Sequence, residues 1–333
     1  MYGNDFSENA SRSLACIFSV SGYELSEAEA SLFRSSNPFG FILFERNCKN
    51  PEQVKKLTDS LKEVVGRDCP ILIDQEGGRV QRLKPPHWRN YPPFRDFGDT
   101  YQDDPEKALS DLRFETLRLV EELVDVGVNV NCTPVLDLFF EGAHDIIGDR
   151  AFSDDVDVVS CLGTSVCRHH LSAGVTPIIK HIPGHGRALV DSHHDLPVVD
   201  IAYETLVQTD FVPFRELARS DVGRSVWAMT AHIVYSDIDA ELPMSLSSDS
   251  IQRVIRNEIG FDGVVICDDL DMKALDPYGD VLQRATTALD AGCDLALYCH
   301  GDLQKMDLLA SGLPTLSDEA LRRLKQASQE SVA

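Results

Sequence analysis

The sequence lacks any long apolar segment. No stretch approaches the roughly 18 consecutive apolar residues of a membrane-spanning helix, and residues 1–10 lack the basic and apolar regions of a secretory signal peptide. The nine cysteines form no C-x-x-C pair, and several lie in apolar runs, where a free thiol behaves as a small hydrophobic side chain. We therefore expect a cytoplasmic protein with reduced cysteines and no membrane partner.

The sequence is also poor in basic residues. It has 31 lysines and arginines against 54 aspartates and glutamates, for a formal net charge of −23. A surface this acidic repels phosphate backbones, so a nucleic-acid partner is not expected. No G-x-G-x-x-G or G-x-x-x-x-G-K-[ST] motif follows an apolar run, which disfavours the nucleotide-binding versions of an open sheet.

What the sequence does contain is a series of eight short apolar runs, most of them separated by stretches with helical periodicity. Continuous apolar runs are typical of strands buried on both faces of a parallel sheet. Eight such strands with helices between them predict an α/β protein, a single-domain (β/α)8 TIM-type barrel over residues 1–333. An open doubly wound sheet is the alternative. The runs are Leu14–Val20, Gly40–Phe44, Ile71–Ile73, Val128–Leu138, Val175–Ile179, Val226–Ile233, Gly263–Cys267 and Leu295–Cys299.

Capping residues mark the expected helix boundaries. Asn50-Pro51 is typical of a helix start, and Gly66 of the end of the same helix. The Pro-rich stretch 85–94 predicts a long ordered loop after the third strand. The expected helices cover residues 51–66, 105–126, 154–174, 201–219, 248–260, 280–292 and 317–328.

One segment concentrates reactive side chains directly after a buried run. It reads Lys180-His181-Ile182-Pro183-Gly184-His185-Gly186 and continues to Asp191-Ser192-His193. In a barrel, functional groups lie at the carboxyl ends of the strands, so this segment should meet the polar residues that follow the other runs. Together they predict a site for a neutral, hydroxyl-rich ligand. The residues that follow the other runs include Asp74, Arg82, Asp137, Arg150, His232, Asp268 and Asp269.

The histidines also permit a different interpretation, a metal-dependent barrel hydrolase with Zn²⁺ at the strand ends. No H-x-H or H-E-x-x-H motif lies at a strand or helix position suited to such a site. Loss of activity in EDTA, with recovery on adding zinc, would establish this alternative.

Several blocks together resemble family 3 glycoside hydrolases, and more narrowly the β-N-acetylglucosaminidases of bacterial peptidoglycan recycling. The blocks occur in the family's order between about residues 70 and 275, and the match is specific because they occur together. Cys267 and Arg187 depart from the residues usual in the family. The blocks are Ile73–Arg82, Ile147–Ser153, Lys180–Gly186 with Asp191–His193, Met229–His232 and Cys267–Met272.

The resemblance implies a role for individual residues. Asp268 matches the catalytic nucleophile, His193 the general acid/base, and Asp191 the residue that orients His193. Position in the sequence alone does not determine whether Asp268 or Asp269 is the nucleophile, and the role of His185 stays open. No cofactor and no metal are expected. The residues that match the contacts to the terminal N-acetylglucosamine are Asp74, Arg82, Arg150, Lys180 and His181.

These matches imply a retaining exo-β-N-acetylglucosaminidase that forms a covalent glycosyl-aspartate intermediate. The expected substrate is a small carbohydrate, a muropeptide with N-acetylglucosamine linked to anhydro-N-acetylmuramic acid. Two further alternatives stay open. A histidine acid does not repel an incoming anion, so phosphate could replace water as in a phosphorylase, and a sugar-binding protein could keep the fold without turnover.

Overall fold

Eight parallel strands form the centre of the molecule in a computed structural model that describes residues 6–7, 9–192 and 195–330. Two further short strands pair with each other outside this sheet. The strands are β1 (Leu14–Phe18), β2 (Pro38–Leu43), β3 (Ile71–Ile73), β4 (Val130–Asn131), β5 (Thr176–Ile182), β6 (Val198–Val199), β7 (Trp227–Thr230), β8 (Val234–Tyr235), β9 (Val265–Cys267) and β10 (Ala296–Leu297), of which β6 and β8 form the separate pair.

The large sheet closes on itself. Its strands follow one another in the order β10-β1-β2-β3-β4-β5-β7-β9. The two ends meet where the Cys267 N–H donates to the Leu295 carbonyl at 3.1 Å, beside a parallel bridge from Ile266 to Leu295. The (β/α)8 barrel is therefore confirmed, and the open doubly wound sheet is wrong. Each of the eight apolar runs overlaps a barrel strand.

Helices surround the barrel and connect its strands. Asn50 caps the helix that begins at Pro51, and Gly66 ends it with a φ of 68°, as its sequence indicates. The described helices are α1 (Glu27–Ser36), α2 (Pro51–Val65), α3 (Phe94–Asp103), α4 (Pro105–Asp125), α5 (Val156–Ser172), α6 (Tyr203–Gln208), α7 (Val212–Arg219), α8 (Ser248–Ser250, continued by a π-helical stretch Ile251–Glu258), α9 (Val281–Ala291), α10 (Leu303–Gly312) and α11 (Asp318–Glu330).

The single helix expected over residues 201–219 is wrong. The chain forms α6 and α7 instead, with a break between Gln208 and Val212. Pro213 lies in the first turn of α7, where a missing N–H costs no helical hydrogen bond, whereas inside a continuous helix it would remove one. The break turns the Asp210 side chain into the protein, where it is buried.

Three helices, α1, α3 and α10, were not among those expected from the sequence. The start of α1 has a recognisable signal, because Ser26 and Glu29 form a reciprocal capping box. α3 begins at Phe94, the last residue of the long loop expected over 85–94. All nine cysteines are free thiols. Within the described part of the chain, every helix is too short or too polar to cross a membrane.

Candidate active site

A pocket of about 190 Å³ opens at the carboxyl ends of the barrel strands. It is smaller than the roughly 300–1,000 Å³ of pockets for drug-sized ligands, which suits a ligand of about one sugar ring. Apolar side chains such as Phe44 and Met229 form part of its wall. Six of the residues expected from the sequence line this pocket together: Asp74, Arg82, Arg150, Lys180, His181 and Asp268.

Asp74 joins two cations from different parts of the barrel. Its Oδ1 lies 3.0 Å from Lys180 Nζ and its Oδ2 lies 3.1 Å from Arg82 Nη2. Burial alone would raise the pKa of Asp74, but the two cations hold it well below its ordinary value. The carboxylate therefore stays ionised, and both cations are held in fixed positions at the pocket wall.

Glu76 forms a second buried network beside the first. Arg150 donates to both of its oxygens, at 2.8 and 2.9 Å, and Lys180 Nζ lies 2.6 Å from Oε1. Burial would raise the pKa of Glu76, but Arg150 and Lys180 lower it to about 2. The same contacts raise the pKa of Lys180 against the effect of burial. Lys180 is thus an ammonium group that bridges Asp74 and Glu76.

Asp137 anchors the start of the segment that follows β5. Its Oδ1 accepts the backbone N–H groups of His181 and His185 at 3.1 and 2.6 Å. Its Oδ2 lies 2.6 Å from His181 Nδ1. Burial opposes ionisation of Asp137, but the contact with His181 lowers its pKa below the ordinary value. The carboxylate fixes both the backbone of the segment and the orientation of the His181 ring.

His185 contacts the same segment further along the chain. Burial lowers the pKa of His185 from 6.5 to about 4, so its ring is neutral at pH 7. Its Nε2 lies 3.2 Å from Ser192 Oγ, which links the beginning of the segment to its end. Ser192 lines the pocket, and Asp191 precedes it in the half-buried part of the chain. His193, the expected acid/base, lies outside the described residues.

Asp268 and Asp269 follow β9, and both line the pocket. Asp269 is tied into the surrounding backbone, because its Oδ1 accepts N–H groups from Cys299 at 3.1 Å and Asp271 at 3.3 Å. Burial raises the pKa of Asp269 to about 6. Asp268 has a different environment, in which its Oδ1 accepts the Asp269 N–H at 2.8 Å. The two neighbouring carboxyls are therefore not equivalent.

Two residues at the site, Glu76 and Asp137, were assigned no role from the sequence, although both lie near the ends of apolar runs that were expected to end at the pocket. Both follow barrel strands, and Glu76 lies two positions after Asp74, so a signal was present. That signal was ambiguous, because irregular backbone after a strand does not determine which neighbouring side chains face the pocket. Among the residues that the structure describes, no group of three or more His, Cys, Asp or Glu side chains is arranged to hold a metal ion.

The closed barrel and the polar pocket at the carboxyl ends of its strands define a barrel enzyme acting on a polar substrate. The chain belongs to glycosyl hydrolase family 3, whose N terminal domain it matches over residues 15–329. It is therefore a glycoside hydrolase, and the resemblance seen in its sequence is confirmed.

Relatives of known class support this assignment along most of the chain. A beta-hexosaminidase from Methylobacillus flagellatus is 36% identical over 305 residues, which cover 92% of this chain and 86% of the relative. One from Bordetella pertussis is 36% identical over 307 residues, with the same coverages of 92% and 86%. The solved structure of NagZ from Neisseria gonorrhoeae in complex with N-trifluoroacetyl-D-glucosamine is 30% identical, with a TM-score of 0.86 over 95% of this chain and 90% of that one.

Proposed function

We propose that this glycoside hydrolase is a retaining exo-β-N-acetylglucosaminidase that removes terminal β-linked N-acetylglucosamine from muropeptides. The observation that carries the proposal is the position of Asp268 in one pocket with the paired groups Asp74, Lys180 and Arg82. This arrangement offers a carboxylate nucleophile beside fixed hydrogen-bonding groups for a sugar. The beta-hexosaminidases and the acetylglucosamine-type ligand of the Neisseria relative support the same sugar.

The paired charges bind the sugar ring. Carboxylates accept hydrogen bonds from sugar hydroxyls, while guanidinium and ammonium groups donate to hydroxyl or acetamide oxygens. Asp74, Arg82, Arg150 and Lys180 supply these groups, and their ion pairs fix their positions before the ligand arrives. His181 contributes Nε2, because its Nδ1 already faces Asp137.

Asp268 attacks the anomeric carbon. The bond from that carbon to the leaving oxygen breaks, and the sugar becomes an ester of the aspartate. Asp269 is less suited to this step, because two backbone N–H groups occupy its Oδ1 and tie the carboxyl to the surrounding backbone.

His193 gives a proton to the leaving oxygen and later takes one from the attacking water. An imidazole, with an ordinary pKa of about 6.5, can do both near neutral pH. Asp191, two residues earlier, orients the ring by accepting a hydrogen bond from its other nitrogen. The buried contact of the intervening Ser192 with His185 holds this part of the segment at the pocket.

The proposed natural substrate is N-acetylglucosamine linked β-1,4 to an anhydro-N-acetylmuramic acid unit. We propose that the enzyme acts on such compounds in peptidoglycan recycling and that it is cytoplasmic. We propose that residues 1–333 form one catalytic domain and that it needs no cofactor, no nucleic acid and no membrane partner.

Replacement of the nucleophile tests the mechanism. Asp268→Ala should lower kcat by at least about 10³-fold, because no covalent intermediate can form. A 2-deoxy-2-fluoro-type inhibitor should label Asp268 in the wild-type protein, as located by peptide mass spectrometry. Asp269→Asn is the matched comparison and should keep measurable turnover. A label on Asp269 would refute the assignment.

Two alternatives predict different products or requirements. A phosphorylase would release N-acetylglucosamine 1-phosphate when phosphate is present, whereas the proposed hydrolase releases the free sugar under both conditions. A metal-dependent hydrolase would lose activity in EDTA and regain it with zinc. We expect release of the free sugar and activity that persists in EDTA.

A further inference from the structure

Arg187 lies in the segment that follows β5, which we call the acid loop (residues 183–192). Its side chain contacts two neighbouring parts of the protein. Its Nε donates to Asp210 Oδ2 at 2.7 Å, and its Nη2 donates to Thr209 Oγ1 at 3.1 Å. Its guanidinium carbon also lies 3.9 Å from the centre of the Phe140 ring. Arg187 thus connects the acid loop to the α6–α7 break and to the loop after β4.

This ion pair differs from the surface pairs of the molecule because water is largely excluded from it. The exposed fraction is 18% for the Arg187 side chain and 1% for that of Asp210. Burial raises the pKa of Asp210, and Arg187 opposes that rise. A buried carboxylate depends on its partner far more than an exposed one does. The Arg187 side chain therefore has one strongly favoured position, which fixes the backbone that carries it.

The acid loop has a second point of attachment near its far end. His185 Nε2 lies 3.2 Å from Ser192 Oγ, and the Ala274 N–H donates to the Ser192 carbonyl at 3.3 Å. Between the two attachments Ala188 is buried, and its carbonyl accepts the His144 N–H at 2.9 Å, whereas the Leu189 side chain that follows is 69% accessible. Only residues 188–191 separate Arg187 from Ser192. This short span includes Asp191.

We propose that Arg187 is a positioning residue for the acid/base pair Asp191 and His193, an inference that rests on the function proposed above. Loss of its contacts would leave the start of the exposed span with fewer attachments to the rest of the protein and increase the number of conformations open to the loop. A general acid must come within hydrogen-bond reach of the leaving oxygen. A looser loop spends less time in that position, so proton transfer slows while the sugar pocket is unchanged.

The test is the leaving-group dependence of kcat/KM in Arg187→Met, which keeps an apolar side chain over Phe140 and removes the guanidinium. For N,N′-diacetylchitobiose, whose sugar leaving group needs protonation, kcat/KM should fall about 10- to 100-fold. This loss is part of the roughly 10²–10⁴-fold that acid–base catalysis contributes in general. For the 4-nitrophenyl glycoside, whose leaving group needs little protonation, kcat/KM should change less than about threefold. Azide needs no base to attack, so adding it should raise the kcat of Arg187→Met for the nitrophenyl substrate.

Two further variants control for lost stability and for lost charge. Arg187→Met leaves Asp210 buried without its cation, whereas Arg187→Met combined with Asp210→Asn removes both charges. The double variant should show the same leaving-group selectivity with a higher Tm than the single one. Arg168→Met removes the cation of the pair with Asp221, whose side chains are 50% and 64% exposed. It should leave both kcat/KM values unchanged.

His193→Ala in the same assay separates this inference from the proposed function. If His193→Ala is selective but the folded double variant loses both activities equally, or neither, the positioning role of Arg187 is refuted and the mechanism stands. If His193→Ala is not selective, the proposed acid role is itself wrong, and the inference fails with it. Selectivity in both variants supports both assignments.

Discussion

Glu76 shows how one side chain can organise the pocket through its neighbours. It lies between Arg150 and Lys180, and its side chain is 2% exposed. Both cations would repel each other without a carboxylate between them. The ligand-binding geometry of this part of the pocket therefore depends on Glu76, a residue to which the sequence pattern assigned no role.

Glu76→Gln should weaken both stability and sugar binding. It removes the negative charge but keeps the shape of the side chain, so buried Arg150 loses its carboxylate partner and Lys180 keeps only Asp74 of its two. We expect the free energy of unfolding to fall by roughly 3 kcal/mol or more, and KM to rise for good and poor leaving groups alike. Urea unfolding and steady-state kinetics measure the two effects.

Glu45→Gln is the matched control for this change. Glu45 pairs with Lys84 at 2.7 Å, but the two side chains are 65% and 43% exposed. Exposed pairs contribute about 0–1 kcal/mol, so stability and KM should stay near wild-type values. Equal effects of the two substitutions would contradict the special position of Glu76.

At the scale of single residues, the sequence indicated which side chains could meet but not their contacts. Asp74 and Asp268 follow barrel strands and Lys180 lies near the end of β5, and parallel strands bring their carboxyl ends to one rim. By contrast, the difference between Asp268 and Asp269 arises from N–H groups of Cys299 and Asp271. Those contacts depend on loop conformation, which residue spacing does not determine.

Among the elements, α3 has a supporting role that its sequence did not reveal. Phe94, at its start, packs on Phe152 with ring centres 4.4 Å apart. Gly98, one turn further, allows the helix to approach the chain near Arg150 so closely that an added Cβ would lie 1.8 Å from the Phe152 carbonyl oxygen. α3 thus packs behind a short segment that supplies a pocket residue.

Gly98→Ala should force α3 away from this segment. Overpacking a well-filled interior costs roughly 1–3 kcal/mol, so Tm should fall and KM should rise as Arg150 moves. Gly22→Ala is the control, because an added Cβ there meets no atom within 4 Å, and it should change stability by less than about 0.5 kcal/mol. Thermal unfolding of the two variants makes the comparison, and equal Tm values would show that α3 can shift without strain.

The elements themselves were predictable to different degrees. Apolar runs identified the eight barrel strands because burial on both faces leaves a continuous signal. The α6–α7 break was missed although Pro213 marks it, because the periodicity continues on both sides. Its cause is partly tertiary, since Asp210 is held by Arg187 from another loop. Periodicity within one segment does not report such a contact.

For the whole molecule, buried neutral histidines set a dependence of stability on pH. Burial lowers the pKa of His170 from 6.5 to about 4, and its two ring nitrogens lie 2.9 Å from the Val166 carbonyl and 3.1 Å from Asn131 Nδ2. One nitrogen donates and the other accepts, which only the neutral ring can do. His185 has a similarly lowered pKa of about 4.

The direction of this pH dependence is set by whether the folded or the unfolded chain binds protons at the higher pH. As pH falls below 6.5, histidines of the unfolded chain become protonated while these two stay neutral until about pH 4. The free energy of unfolding should therefore fall between pH 6.5 and 4. Across this range the free energy of unfolding of His170→Gln should fall by roughly 1–3 kcal/mol less than that of the wild type. Urea unfolding at several pH values measures the difference. Identical slopes would show that His170 does not titrate in this way.

The closure of the barrel has a consequence for the order of events during synthesis. β1 pairs with β10, so Cys16 lies opposite Ala296, and neighbouring strands come from nearly opposite ends of the chain. At about 5–20 residues per second, β1 waits on the order of tens of seconds for that partner. Until then its edge carries unpaired N–H and C=O groups that can pair with other chains. The nascent protein should therefore depend on protection from chaperones until its last barrel strand has left the ribosome.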